Sequence, residues 1–247
     1  MKLLLTGVTG VAGLAAYRAA VVDPAITHIT VLSRRPIPSW AVLPPNASTK
    51  TTTIIHNDFL SYPTDLAKQL AQNDACVWAL GRSVAGMNET DYTEMTYGYL
   101  LNAATALKDA GVGENRGEGE PFRFVFISGE HSDPTETSLQ MWARVKGRAE
   151  KDLTKLCSTT PGMEARMFRP AYFFPPNEYP EDRKNQRPAW HRAVDIVMTP
   201  LAKNLIPSIY TPTEELGKFV VELAEGRWPE KNLFRNAEMR ELMKATL

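Results

Sequence analysis

TGVTGVAG, residues Thr6 to Gly13, follows the apolar run KLLLT (2–6) and leads straight into VAGLAAYRAAVV (11–22), a stretch of helical composition. Strand, tight turn and helix in that order open an alternating α/β chain. The three glycines, Gly7, Gly10 and Gly13, stand where a turn must bring its backbone close to a ligand and then pack a helix on the strand it has left. The first turn of that helix offers free N–H groups and the positive end of its dipole, a ready seat for a pyrophosphate. Thr9 and Val11 belong to the same loop and join the glycines as candidate cofactor contacts. The plain alternative is a tight turn of small residues serving only packing. The strand–turn–helix context favours the dinucleotide reading.

Outward from this loop the pattern repeats. HITVLS (28–33), TTTIIH (51–56), ACVWAL (75–80), FRFVFIS (122–128) and MEARMF (163–168) read as further strands. Helices are predicted at 65–71, roughly 89–109 and 138–157, and GVGENRGEGEP (111–121) reads as an exposed loop. Beyond Arg169 a Pro- and aromatic-rich segment without period leads to two helical stretches, 190–205 and 212–226. Thr213 stands as a cap of the second and Gly226 as its stop. Strands alternating with helices predict an α/β fold with a doubly wound parallel sheet, a Rossmann fold. One domain is expected over 1–247, with 1–170 as cofactor-binding core and 171–247 as a small, mostly helical elaboration on the substrate side.

The spacing GxxGxxG in that context resembles the short-chain dehydrogenase superfamily, in particular its extended and atypical branches, which include epimerase-like and NmrA-like NAD(P)-binding proteins. The resemblance runs from Met1 to about Pro176. At the end of the second strand an NAD-binding chain places a carboxylate for the ribose hydroxyls, whereas this one reads Ser33, Arg34, Arg35. A carboxylate repels a 2′-phosphate and a guanidinium binds it, so NADP(H) is the expected cofactor. The resemblance further places Asp58 and Phe59 beside the adenine. Ala79, Leu80 and Gly81 close the fourth strand, where small residues admit the cofactor ribose.

The same resemblance implies a serine after the fifth strand, a tyrosine acid/base and a lysine four residues on. One helical turn puts the last two on one face, where the ammonium lowers the phenol pKa and binds the nicotinamide ribose. Here SLQMWARVK (138–146) supplies Lys146 but sets Trp142 at the tyrosine position, and an indole cannot shuttle a proton near neutral pH. Ser128 ends the fifth strand, Gly129 stands where a second serine is common, and Ser132 substitutes only if the loop folds back. Glu130, His131 and Tyr172 are the remaining acid/base candidates. Trp142 and Tyr172 also suit an apolar wall.

Composition bounds the rest. The 247 residues carry 28 basic and 28 acidic side chains, a neutral balance that gives no sign of a nucleic-acid partner. The two cysteines, Cys76 and Cys157, fit no metal or redox spacing, and the four histidines share no ligand spacing, so no metal site is expected. No run is long enough for a membrane helix, and the N-terminal apolar run is too short for a signal-peptide core. A soluble cytoplasmic protein acting on a small-molecule substrate is expected, with a monomer favoured over a homodimer. Three functions fit: an NADP(H)-dependent oxidoreductase of the atypical type, a non-catalytic NADP(H)-binding sensor or regulator, and a non-redox isomerase or cyclase on the same fold.

Overall fold

The computed structural model describes residues 1–114, 116–117, 119–186 and 209–245. Its first strand, β1 (Lys2–Thr6), is buried from Leu3 onward. A strand apolar on both faces belongs inside a parallel sheet with both faces covered. β1 pairs with β2 (His28–Ser33) on one side, Leu5 opposite Val31, and with β4 (Ala75–Trp78) on the other, Leu5 opposite Val77. β3 (Thr51–Ile55) lies beyond β2, while β5 (Phe122–Ile127), β6 (Met163–Arg169) and β7 (Leu233–Arg235) continue past β4. The seven-stranded order is β3-β2-β1-β4-β5-β6-β7 and every pair is parallel, the doubly wound sheet expected.

The period-two alternation of strand side chains divides the core. Leu3 and Leu5 enter the layer under α1 (Val11–Val22) and α8 (Thr213–Glu225), with Tyr17, Phe219 and Val220. Leu4 enters the opposite layer, with Trp78, Phe124, Leu100 of α5 (Tyr99–Asp109) and Leu153 of α6 (Met141–Ser158). Each fully buried leucine contributes roughly 1.5–3 kcal/mol. Both cysteines are buried as packing residues, and burial pushes the Cys157 thiol up to about 12. Two short helices, α2 (Ala47–Lys50) and α3 (Thr64–Leu70), flank β3. No helix among the described residues is long and apolar enough to cross a membrane.

Several local expectations change. The helix over 89–109 is α4 (Glu89–Thr93) and α5 joined by a π-helical turn, Glu94–Gly98. β4 ends at Trp78 and β5 at Ile127, so Ala79 to Gly81 and Ser128 lie just past the strand ends. Thr213 does not cap its helix: Pro212 holds the cap position, and the Thr213 hydroxyl donates to the Phe174 carbonyl at 2.6 Å. Gly226 does stop it, in the left-handed region at φ 92°. The predicted helix 190–205 lies outside the described residues. The C-terminal part also holds β7 and α9 (Asn236–Ala245), which the sequence pattern did not mark, so it extends the sheet as well as adding helices.

The Pro-rich segment contains α7 (Pro180–Gln186), tied to α1 by a buried ion pair. Arg18 forks onto Asp182 at 2.5 and 3.0 Å and covers the Tyr179 ring at 3.6 Å. Gln186 reaches the Thr9 carbonyl at 3.4 Å. The segment is thereby anchored next to the glycine turn.

Candidate functional site

The glycine turn joins the ends of β1 and β4. Gly7 adopts φ 73°, and a Cβ there would lie 2.3 Å from the Ala79 carbonyl oxygen, so no side chain fits. A Cβ on Gly13 would lie 2.1 Å from the Gly7 carbonyl oxygen, which is how closely α1 packs on the turn. The Leu80 N–H donates to the Thr6 hydroxyl at 3.2 Å, fixing β4's end against β1's. Gly10 is the N-cap of α1; no side chain caps the helix and its first turn carries no acidic residue. Such an end favours an anion.

In front of it opens a cleft of ≈ 260 Å³ lined by Gly7, Thr9, Gly10, Ser33, Arg34, Arg35, Leu80 and Gly81, together with Leu32, Arg82 and Met95. It sits at the carboxyl ends of β1, β2 and β4, where the strand order reverses and open α/β sheets bind ligands. Arg34 and Arg35 are exposed, while Ser33 is buried and accepts from the Arg35 N–H at 3.3 Å. Arg82 and Met95 were not anticipated. Arg82 follows Gly81 and could have been read from its place; Met95 comes from the π turn, which no local pattern announces.

Six candidates do not line this cleft: Gly13 and Ala79, which pack the turn, Lys146 at the end of β5, and Val11, Phe59 and Asp58. Val11 lines a separate hollow of ≈ 190 Å³ along α1, beside Arg18, Pro176 and Tyr179. Phe59 is wholly buried, its ring between Tyr62, Trp78 and Tyr99, so it is a core residue rather than a wall beside an adenine. Asp58 accepts from the Leu60 N–H at 3.0 Å and closes a local turn.

At the end of β5 a second group assembles. Lys146 donates to the Ser128 carbonyl oxygen at 2.6 Å. The loop does fold back: the Ser132 N–H donates to the Gly129 carbonyl at 2.9 Å, and the buried Ser128 and Ser132 hydroxyls lie 2.7 Å apart. A Cβ on Gly129 would lie 3.6 Å from both the Lys146 ammonium and the Trp142 ring, so these three residues share one wall. The exposed His131 ring stands edge-on to Trp142 at 6.5 Å. Burial lowers Lys146 to about 8, against the opposing charge of Glu150.

Glu130 is committed away from this group, pairing with Arg235 at 2.9 Å and accepting from the Asn236 N–H at 3.2 Å. It anchors the β7–α9 junction. Tyr172, 42% exposed, packs on Phe174 and bridges to Tyr210 instead. The loop leading into α6 is fixed by Asp133, which accepts from the N–H groups of Thr135, Thr137 and Ser138 at 2.9, 2.9 and 2.7 Å. A bond from the Thr135 hydroxyl first, and then those N–H groups, hold its carboxyl down at about 2. Glu150 and Arg169, buried behind Lys146, escaped the sequence reading because their pairing links α6 to β6.

No family model matches the chain. Among solved structures it resembles the RhlG/NADP active-site complex of Pseudomonas aeruginosa, with a TM-score of 0.66 at 17% identity over 95% of this chain and 93% of that one. The L-sorbose reductase of Gluconobacter frateurii, solved with NADPH and L-sorbose, gives 0.64 at 14% identity over 95% and 94%. The fold is that of the short-chain dehydrogenase/reductases. Within it Trp142 stands at the position where the resemblance expects a tyrosine. Among curated proteins, the leucinostatins biosynthesis cluster protein T of Purpureocillium lilacinum is 28% identical over 156 residues, 63% of this chain. That match spans 52% of the relative's length, about half of it. The mitochondrial protein fmp52 of Emericella nidulans is 28% identical over 187 residues, 75% of this chain and 70% of its own.

Proposed function

We propose that the chain is an NADP(H)-dependent oxidoreductase of the atypical short-chain type, acting on a small, largely apolar organic substrate. One observation carries the reading: an uncapped helix start behind a glycine turn opens on a cleft rimmed by Arg34, Arg35 and Arg82. The residues fit the cofactor. Backbone N–H groups of the turn suit a pyrophosphate, and the guanidiniums at the end of β2 suit a 2′-phosphate where a carboxylate would repel it. Bound there, the reduced nicotinamide would supply a hydride; the protein supplies position, exclusion of water and a proton. Relatives named for biosynthesis clusters support an organic metabolite as substrate.

Calorimetry with NADPH and NADH tests this. NADPH is expected to bind and NADH to bind more weakly. Replacing Arg34 and Arg35 by alanine removes charge-assisted hydrogen bonds of about 1.5–3 kcal/mol each, weakening NADPH by roughly 10–100-fold per bond while leaving NADH nearly unchanged. Equal loss for both nucleotides would sink the specificity reading, and binding of neither would sink the function. A second reading, a non-catalytic NADP(H) sensor, is favoured by Trp142 and Gly129 standing where a proton relay is expected. It predicts NADPH binding without oxidation in the presence of a panel of aldehydes and ketones.

A further inference from the structure

Lys146 and Glu150 are one helical turn apart on α6, the spacing at which lysine and glutamate pair. Glu150 is nevertheless taken: Arg169, at the end of β6, forks onto it at 2.9 and 2.5 Å, with both side chains largely buried. The Lys146 ammonium instead reaches the Ser128 carbonyl, a neutral acceptor, on the wall shared with Trp142 and Gly129. We propose that Lys146 is the acid/base of this site, taking the place of the absent phenol, and that Arg169 is a positioning residue that keeps it available by occupying Glu150. The proposal rests on the oxidoreductase reading above.

The chemistry balances without further reagents. As hydride from NADPH forms a C–H bond at a substrate carbonyl carbon, the C=O π pair moves to oxygen. That oxygen takes a proton from Lys146 Nζ, leaving alcohol, NADP⁺ and a neutral amine that solvent reprotonates. A lysine locked to a carboxylate gives up its proton poorly; one desolvated and bonded to a carbonyl does so nearer neutral pH. Burial does bring Lys146 down to about 8, with Glu150 as the charge opposing the shift.

Among the described residues, the other charged groups near it are paired or exposed. In the loop, Glu130 is on Arg235 and Asp133 is on its own turn, while His131 is exposed. On the helix packed against α6, Glu89 is on Arg144, Asp91 is bonded to Asn88, Glu94 is exposed and Tyr97 donates to Asp152. Arg148, on α6 itself, covers the Tyr97 ring.

The two ends of the Arg169–Glu150 pair then have opposite effects. Arg169→Met removes a cation and frees Glu150 for Lys146, holding the proton more tightly. Glu150→Gln removes the anion and leaves Arg169, holding it less. A purely structural pair would move both variants the same way. Carbon NMR of protein labelled with ¹³C-lysine, with the Lys146 Cε signal assigned by its loss in Lys146→Arg, reads the titration without cofactor or substrate. The expected midpoint is about 8 in the parent protein, roughly one unit or more higher in Arg169→Met and lower in Glu150→Gln. An ordinary lysine midpoint near about 10.4, or shifts in the same direction, overturns the proposal. Should Arg169→Met fail to fold, Glu150→Gln decides alone, by a lower midpoint or none. In NADPH-dependent carbonyl reduction, kcat/KM should fall as pH rises through each variant's own midpoint. A limb that ignores the shifts overturns the proton-donor role while leaving the oxidoreductase reading intact. Failure of NADPH to bind in calorimetry overturns both.

Discussion

Lys146 reaches from α6 to the end of β5 and donates to the Ser128 carbonyl oxygen at 2.6 Å. Trp142, one turn earlier, presents its ring to the same wall, and Gly129 contributes no side chain between them. The indole thus occupies, beside the ammonium, the position at which the resemblance expects a phenol. Trp142→Tyr places an ionisable hydroxyl there. General acid catalysis is worth about 10²–10⁴-fold, and with Lys146 already in that role the added phenol is expected to speed NADPH-dependent reduction of a generic ketone by less than that range. NADPH consumption monitored by absorbance decides it, and a gain across the full range would show that the parent lacks a working proton donor.

Gly7→Ala should abolish nucleotide binding. Its φ of 73° disfavours a side chain, and the new Cβ would meet the Ala79 carbonyl oxygen at 2.3 Å. Strain of roughly 1–3 kcal/mol is expected in denaturant unfolding, together with loss of any thermal shift from NADPH. A variant that unfolds like the parent and still responds to NADPH would contradict the close approach of β1 and β4.

Asp133 governs an acid transition in the loop before α6. Its folded-state pKa is depressed to about 2, so its hydrogen bonds stabilise the fold fully above the ordinary carboxylate value and are lost as pH falls from about 4 towards about 2. Protection factors of the Thr135, Thr137 and Ser138 amides, taken relative to the intrinsic rate at each pH, should fall over that window in the parent, and should already be low at neutral pH in Asp133→Ala. Unchanged protection in the alanine variant would remove Asp133 from this role.

Breaking the α1–α7 tie from one side leaves a charge stranded. Asp182→Ala strips the carboxylate from the half-buried Arg18, which keeps the Val42 carbonyl, and is expected to cost up to about 3 kcal/mol in urea unfolding. The double variant Arg18→Met with Asp182→Leu should recover most of that. A double variant as unstable as the single one would mean that the segment is held by Tyr179 and Gln186 more than by the ion pair.

Much of this could be read from the chain, for physical reasons. β1 shows itself through consecutive leucines buried on both faces, and the glycine turn through positions where a Cβ meets backbone. Arg34 and Arg35 follow from their place at the end of β2. What escaped depends on contacts between distant residues. Glu130 looked like an acid until Arg235 and Asn236, over a hundred positions on, claimed its carboxylate. Glu150 drew no notice in the chain, because its partner Arg169 arrives from β6. The resemblance set Phe59 beside the adenine, yet a lone aromatic after a strand fits a core as well. β7, three residues with only Phe234 buried, is too short to carry a period.

The π turn at Glu94–Gly98 has a reach beyond its own five residues. A π turn holds one residue more than the α turn on either side, so the helix before it and the helix after it are out of phase by about 100°. That offset lets Met95 look towards the cleft while Leu100, Ala103, Ala104 and Leu107 keep their seats in the core. Removing a single residue from the turn would bring the two halves back into step, and one of them would have to give up its neighbours. The surplus residue works as a clutch between a half set by the cleft and a half set by the core.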